Sequence, residues 1–169
     1  MTSAIRQHMF MSPLVADLEQ TTALSPTARL VPCLMILLAM IGLADAAYDS
    51  HAIFAGQRLW CPPPIDGCNI VAASPYARAL DLPLGYFGVV YYLFMLMLAA
   101  LFAFDPLSRG LRLGTVLHAA AGVLASAVFV YIQLAFIHAF CVYCMISAVL
   151  TVLLLVAALA HDGATRMTG

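Results

Sequence analysis

Four uninterrupted apolar runs decide the solvent in which this chain folds. They cover residues 30–48, 84–104, 113–136 and 140–160. A helix needs roughly 20 apolar residues to cross a hydrocarbon core of about 30 Å, and each run is long enough. The apolar residues are continuous rather than alternating, so helices are expected and barrel strands are not. The first run is the least apolar, because Asp45 sits near its end. The second stops at Asp105-Pro106, and only Ile137-His138-Ala139 separates the last two, which predicts a tight antiparallel hairpin. The expected fold is therefore all-α, an integral membrane bundle of four transmembrane helices over residues 30–160. Tails at 1–29 and 161–169 flank it, and an extramembrane loop at 49–83 caps one end. Within that loop a short helix is expected at about 74–80, near the membrane surface.

Composition supports the same solvent. The 169 residues are 64% hydrophobic and 9% charged, where ordinary soluble domains are about a quarter charged. The 7 basic and 8 acidic residues could not cover a soluble core of this size. A net charge of −1 with no lysine argues against nucleic acid as a partner, and the apolar excess argues against disorder. The N-terminal tail does not read as a cleaved signal peptide. Met9-Phe10-Met11 is too short for an apolar core, and Asp17 and Glu19 follow it. With four spans, Arg6, Arg29, Arg109, Arg112 and Arg166 share one side, while Arg58 and Arg78 lie on the other. The positive-inside rule then predicts cytoplasmic termini, with the long loop facing the opposite compartment.

That orientation gathers four of the five cysteines on one side. Cys61 and Cys68 lie in the long loop, in WCPPPIDGCN. Cys141 and Cys144 open the last span, in HAFCVYC. Residues i and i+3 share a helix face, so the Cys141 and Cys144 sulfurs can meet. Cys141 falls at a helix N-terminus, where free amide N–H groups and the helix dipole favour a thiolate. In the loop, Pro62-Pro63-Pro64 makes an extended arm and Asp66-Gly67 a turn that returns Cys68 toward Cys61. Two dithiols on one face, one on a helix and one on an arm, suit a thiol–disulfide relay. The plainer alternatives are a structural staple at Cys61–Cys68, buried small residues at 141 and 144, or a soft-metal site. The C-x6-C spacing exceeds that of common zinc motifs, and no metal site is assigned. Cys33, at the opposite end of the first span, reads as a small buried hydrophobe.

Other features read as packing. Trp60, Tyr86, Tyr91, Tyr92 and Tyr143 are expected mainly as interfacial aromatics, with one or two of them lining an internal pocket for the electron acceptor. Gly114, His118, Gly122 and Ser126 form a small-residue stripe permitting close helix approach. His138 stands three residues before Cys141 and is a candidate for electrostatic support of its thiolate or for capping. The sequence shows no phosphate-binding glycine loop, no paired carboxylates within a span and no Ser-His-Asp set.

The span layout, the loop segment CPPPIDGCNIVAASPYARALDLPLGYFGVVYY and FCVYC together resemble the vitamin K epoxide reductase family in its bacterial form. Cysteine order carries much of the likeness. DsbB-type quinone reductases place the CxxC before the spaced pair, whereas here the spaced pair comes first. The resemblance implies a membrane thiol:quinone oxidoreductase. Cys61 would exchange with a periplasmic thioredoxin-like (DsbA-type) protein, and Cys68 would pass electrons to Cys141. Cys144 would lie nearest a lipid quinone, such as menaquinone or ubiquinone. Ser74 matches a serine beside the family's active site, where a hydroxyl would bond a quinone oxygen or steady the loop; an N-cap before Pro75 is the alternative. Animal members carry Asn and Tyr where this chain has Leu84 and Ala148, so a respiratory quinone, rather than an epoxide, is the implied substrate. The expected setting is a bacterial inner membrane, with the product supporting disulfide formation.

Overall fold

The computed structural model describes residues 26–62, 67–105 and 108–167. The expected tail up to residue 25, most of the proline arm with Asp66, and Pro106 lie outside the described residues. Among the described residues, four helices are long and apolar enough to cross a membrane, with spans Leu30–Phe54, Leu84–Phe104, Arg109–Ile137 and Val142–Gly163. They belong to α1 (Pro26–Phe54), α3 (Leu84–Phe104), α4 (Arg109–Ile132) and α5 (Val142–Met167), and α2 (Gly67–Ala73) lies in the loop.

The helices meet through small residues. Ala39, Ala46, Ala99, Ala119 and Ala158 are buried among Met35, Tyr92, Met95, Phe102 and Leu154. Gly42 lies directly beneath the Tyr92 ring, so that any side chain there would overlap it. Between helices in lipid there is little hydrophobic driving force, and close packing has to hold the bundle together. Larger side chains turn outward accordingly, with Leu37, Leu93, Val128 and Leu153 exposed to the space that lipid fills.

Several boundaries differ from the sequence reading: α1 begins at Pro26 and α4 at Arg109, and α5 runs on to Met167, so helix reaches into both expected tails. Helix α1 continues past Tyr48 to Phe54, because its polar residues there are served within the fold. Ser50 is buried and its hydroxyl donates to the Ala46 carbonyl one turn back. This lengthening places Asp49 in the same span as Asp45, so the span does contain paired carboxylates, one helical turn apart. The loop helix also lies earlier than residues 74–80. Pro75 holds Ser74 extended, at φ −72° and ψ 152°, and so ends the helix begun at Gly67. Only a 3-10 turn at Pro75–Ala77 follows. A two-residue antiparallel ladder then pairs β1 (Arg78–Ala79) with β2 (Leu82–Pro83). Leu80 and Asp81 close it at φ 54° and 61°, as a two-residue I′ hairpin turn requires.

The hairpin between the last two spans is as tight as expected, and its geometry is specific. Helix α4 ends in a π-helical turn, Gln133–Ile137, and His138 follows in the left-handed region at φ 55°. The Gln133 carbonyl accepts the backbone N–H groups of His138 and of Ala139, the latter at 3.3 Å. Such π-turns let a chain reverse without leaving backbone groups unpaired.

Candidate functional site

One set of hydrogen bonds closes the loop on itself and another fastens it to the bundle. Asn69 reaches across to Leu59, accepting its N–H at 2.9 Å and donating to its carbonyl at 3.1 Å. Tyr143 donates to the Trp60 carbonyl at 2.6 Å, and its ring packs 5.3 Å from that of Tyr48. These contacts bring together the two ends of the loop, and Cys61 and Cys68 are joined there in a disulfide with Cα atoms 6.2 Å apart. Asn69 was not singled out from sequence; its place beside Cys68 was the available signal.

Glycine sets how closely the loop sits on the bundle. Gly67 opens α2 against the backbone of Phe140, and a Cβ at 67 would lie 2.7 Å from the Phe140 nitrogen. That contact seats the loop disulfide over the start of α5. Cys68 and Cys141 are both buried in one cluster with Ala52, Leu59 and Val71, and Cys61 and Cys144 pack against it. All four cysteines on the loop and at the start of α5 therefore converge. Cys33 is an exposed free cysteine rather than a buried one.

Cys141 and Cys144 are free thiols in hydrogen-bond contact. This contact holds the Cys141 thiol below the usual thiol range, and backbone N–H groups of Cys144 and Tyr143 act in the same direction. Burial and the Asp49 carboxylate oppose the effect without reversing it. The result is a thiol biased toward the nucleophilic thiolate at the first turn of a helix. His138 is not among the groups acting on it; its part is the left-handed turn. Gln133 is, structurally, the nearest support. Its side-chain oxygen accepts the Cys141 backbone N–H at 2.8 Å, and the residue is only 3% exposed. Sequence reading missed it, although a glutamine inside an apolar span is itself a signal.

Beneath the thiols, a cavity of about 300 Å³ runs down between the helices. Cys68, Cys141 and Cys144 line its upper wall, and Tyr91, Tyr92, His118 and Thr151 its lower part. Asp45 and Asp49 face it from α1. Tyr92 is fully buried and its hydroxyl pairs with the Ser147 hydroxyl at 2.8 Å. Tyr91 stacks on His118 at 4.6 Å, and His118 Nε2 lies 3.2 Å from the Tyr91 carbonyl. Both tyrosines are thus interior groups rather than interfacial anchors. The stripe on α4 also turns inward, since His118, Gly122 and Ser126 line the cavity and Gly122 makes room for the Tyr91 hydroxyl.

Ser74 stands apart from this arrangement. Its hydroxyl donates to the Val71 carbonyl at 2.7 Å, and it is not among the cavity-lining residues. Leu84 does line the cavity and Ala148 does not. Among the described residues, no group of three or more His, Cys, Asp or Glu is placed to hold a metal ion.

A protein-family model, that of the vitamin K epoxide reductase family, matches residues 33–159. No curated protein matches the chain.

Proposed function

The chain belongs to the vitamin K epoxide reductase family of membrane thiol–quinone oxidoreductases, and from that premise we propose a directed relay. A thioredoxin-like protein delivers two electrons to the loop pair, the loop pair reduces the helix pair, and the helix pair reduces a lipid quinone. The observation that carries this reading is the convergence of the Cys61–Cys68 disulfide and the Cys141/Cys144 thiols above an apolar cavity inside the bundle.

The chemistry balances at each step. A partner thiolate attacks the loop disulfide at Cys61; its second thiol resolves the mixed disulfide, and the partner leaves oxidised with Cys61 and Cys68 reduced. The Cys68 thiolate then attacks the helix disulfide at Cys141, releasing Cys144, and Cys61 closes the loop disulfide again. The helix dithiol finally gives two electrons and two protons to the quinone, which leaves as hydroquinone while the Cys141–Cys144 disulfide re-forms. Cys141 suits exchange with the loop, because it shares a buried cluster with Cys68 and is biased toward thiolate. Cys144 lies one turn deeper along the cavity wall, and we assign it the position nearest the quinone. Ser74 steadies the end of α2 through Val71 in this account.

We place both termini in the cytoplasm of a bacterial inner membrane, with both cysteine pairs facing the periplasm, on the arginine asymmetry. The activity then regenerates an oxidised periplasmic partner and supports disulfide formation. Trapping tests the partner step. In Cys68→Ala, the lone Cys61 thiolate can attack the disulfide of an oxidised partner but has no second loop thiol with which to complete the exchange, so a thioredoxin-fold protein should be captured covalently on Cys61 in intact cells. Capture that persists when Cys61 is also replaced would contradict the assignment.

A further inference from the structure

Among the polar groups facing the cavity, most are already committed within the protein. The Tyr92 and Ser147 hydroxyls pair with each other. Thr151 donates to Ser126 or to the Ala148 carbonyl. His118 bonds the Tyr91 carbonyl, and Tyr143 donates away from the cavity to Trp60. The Tyr91 hydroxyl is buried without a partner among the described residues and faces the lower part of the cavity, away from the thiols. A quinone presents carbonyl oxygens, which need donors.

Gln133 meets that need at the thiol end. Its residue is buried and lines the cavity. The Cys141 backbone N–H is a donor, so the amide atom facing it must be the oxygen, as the 2.8 Å bond records. The NH2 end of the carboxamide is thereby turned away from Cys141. It has no hydrogen-bond partner among the described residues. An amide N–H2 that lines a cavity and has no protein partner is available to an acceptor bound there. The π-turn and the left-handed His138 hold the residue in place, since the same Gln133 carbonyl closes the turn to His138 and Ala139.

We propose that the Gln133 carboxamide is a substrate-contacting residue, whose NH2 donates a hydrogen bond to a quinone carbonyl oxygen while its oxygen holds the Cys141 turn. One planar group then sets the acceptor in register with the thiols that reduce it. This assignment rests on the quinone reading above. Gln133 transfers no proton. The dithiol supplies both electrons and both protons, and the amide stabilises the negative charge that builds on the quinone oxygen as electrons arrive. A donor of this kind contributes most in the transition state, so its loss should lower kcat/KM for quinone by about 10- to 100-fold.

The test compares two electron acceptors on the full-length protein in lipid nanodiscs. Fully reduced wild type and Gln133→Met are oxidised either by a short-chain ubiquinone analogue or by a small aromatic disulfide. Met keeps the length of Gln and removes both the donor and the acceptor. If Gln133 contacts quinone, the loss with quinone exceeds the loss with the disulfide by about tenfold or more. Equal losses with both acceptors would mean that Gln133 only positions the thiols, and would overturn the assignment. Wild type that reduces no quinone overturns the relay itself and this proposal with it. Should the Met variant fail to fold, infrared spectra of quinone bound to turnover-blocked Cys144→Ala, with Gln133 intact or replaced by the shorter Asn, decide. A lowered carbonyl band that Gln133→Asn returns toward the free position supports the contact, and bands that are the same in both refute it.

Discussion

Replacing Gly67 with alanine should separate the two halves of the relay. A Cβ at this position would sit 2.7 Å from the Phe140 nitrogen and 2.9 Å from its carbonyl carbon, and would overlap the Phe140 oxygen as well. Ordinary contact begins at 3.4 Å, and these are backbone atoms of the tight turn, so they cannot swing aside as a side-chain tip can. Helix α2 must back away by about 0.5–1 Å, a displacement of the size that costs on the order of 100-fold when reacting atoms are misplaced. Cys68 moves with α2, whereas Cys141 and Cys144 do not. Fully reduced protein mixed with excess quinone should produce hydroquinone in two phases. The first equivalent comes directly from Cys141/Cys144, and the second waits for transfer from Cys61/Cys68. In Gly67→Ala the second phase should slow by about 10- to 100-fold with the first unchanged. A second phase within about threefold of wild type would refute the idea that α2 must seat on Phe140. Equal slowing of both phases would refute the division of labour between the pairs.

Other outcomes follow from the same geometry. Cys144→Ala removes the main interaction that lowers the Cys141 thiol pKa, so the pH profile of Cys141 alkylation should move to higher pH. Each unit of that rise cuts the thiolate at neutral pH about tenfold; an unmoved profile would point to the helix terminus instead. Asn69→Ala breaks both bonds to Leu59 and lets the loop cysteines separate. A tenfold loss of effective concentration makes the Cys61–Cys68 disulfide easier to reduce by about 30 mV, measurable in glutathione buffers by alkylation. Tyr92→Phe removes the hydroxyl shared with Ser147 and should lower stability by about 1 kcal/mol, read from thermal unfolding in detergent. An unchanged midpoint would show that this buried pair contributes nothing net.

Much of the architecture was legible because apolar runs respond to lipid alone. The four spans and the tight turn before Cys141 needed no knowledge of partners, and neither did the gathering of four cysteines at one end. What escaped were side chains whose roles depend on backbone groups elsewhere in the chain. Asn69 serves Leu59, ten residues back, and Gln133 serves Cys141, eight residues on. Neither partner can be inferred without the folded loop or the π-turn. The end of α1 was misplaced for a related reason. Asp49, Ser50 and His51 depress hydropathy, yet Asp49 faces the cavity and Ser50 bonds its own helix. Of the five aromatics near span ends, one or two are expected inside, but only the fold says which; Tyr91 and Tyr92 are received by the internal cavity. Ser74-Pro75 carried a true boundary signal, but it stops one helix more than it starts another.

The central claim is that the Cys141/Cys144 dithiol reduces quinone and that the loop pair feeds it. Counting hydroquinone per protein under anaerobic conditions tests this directly. Fully reduced wild type, carrying two dithiols, should yield two equivalents, and Cys61→Ala/Cys68→Ala protein should yield one. Cys144→Ala should yield none. Hydroquinone formed by Cys144→Ala would contradict the account.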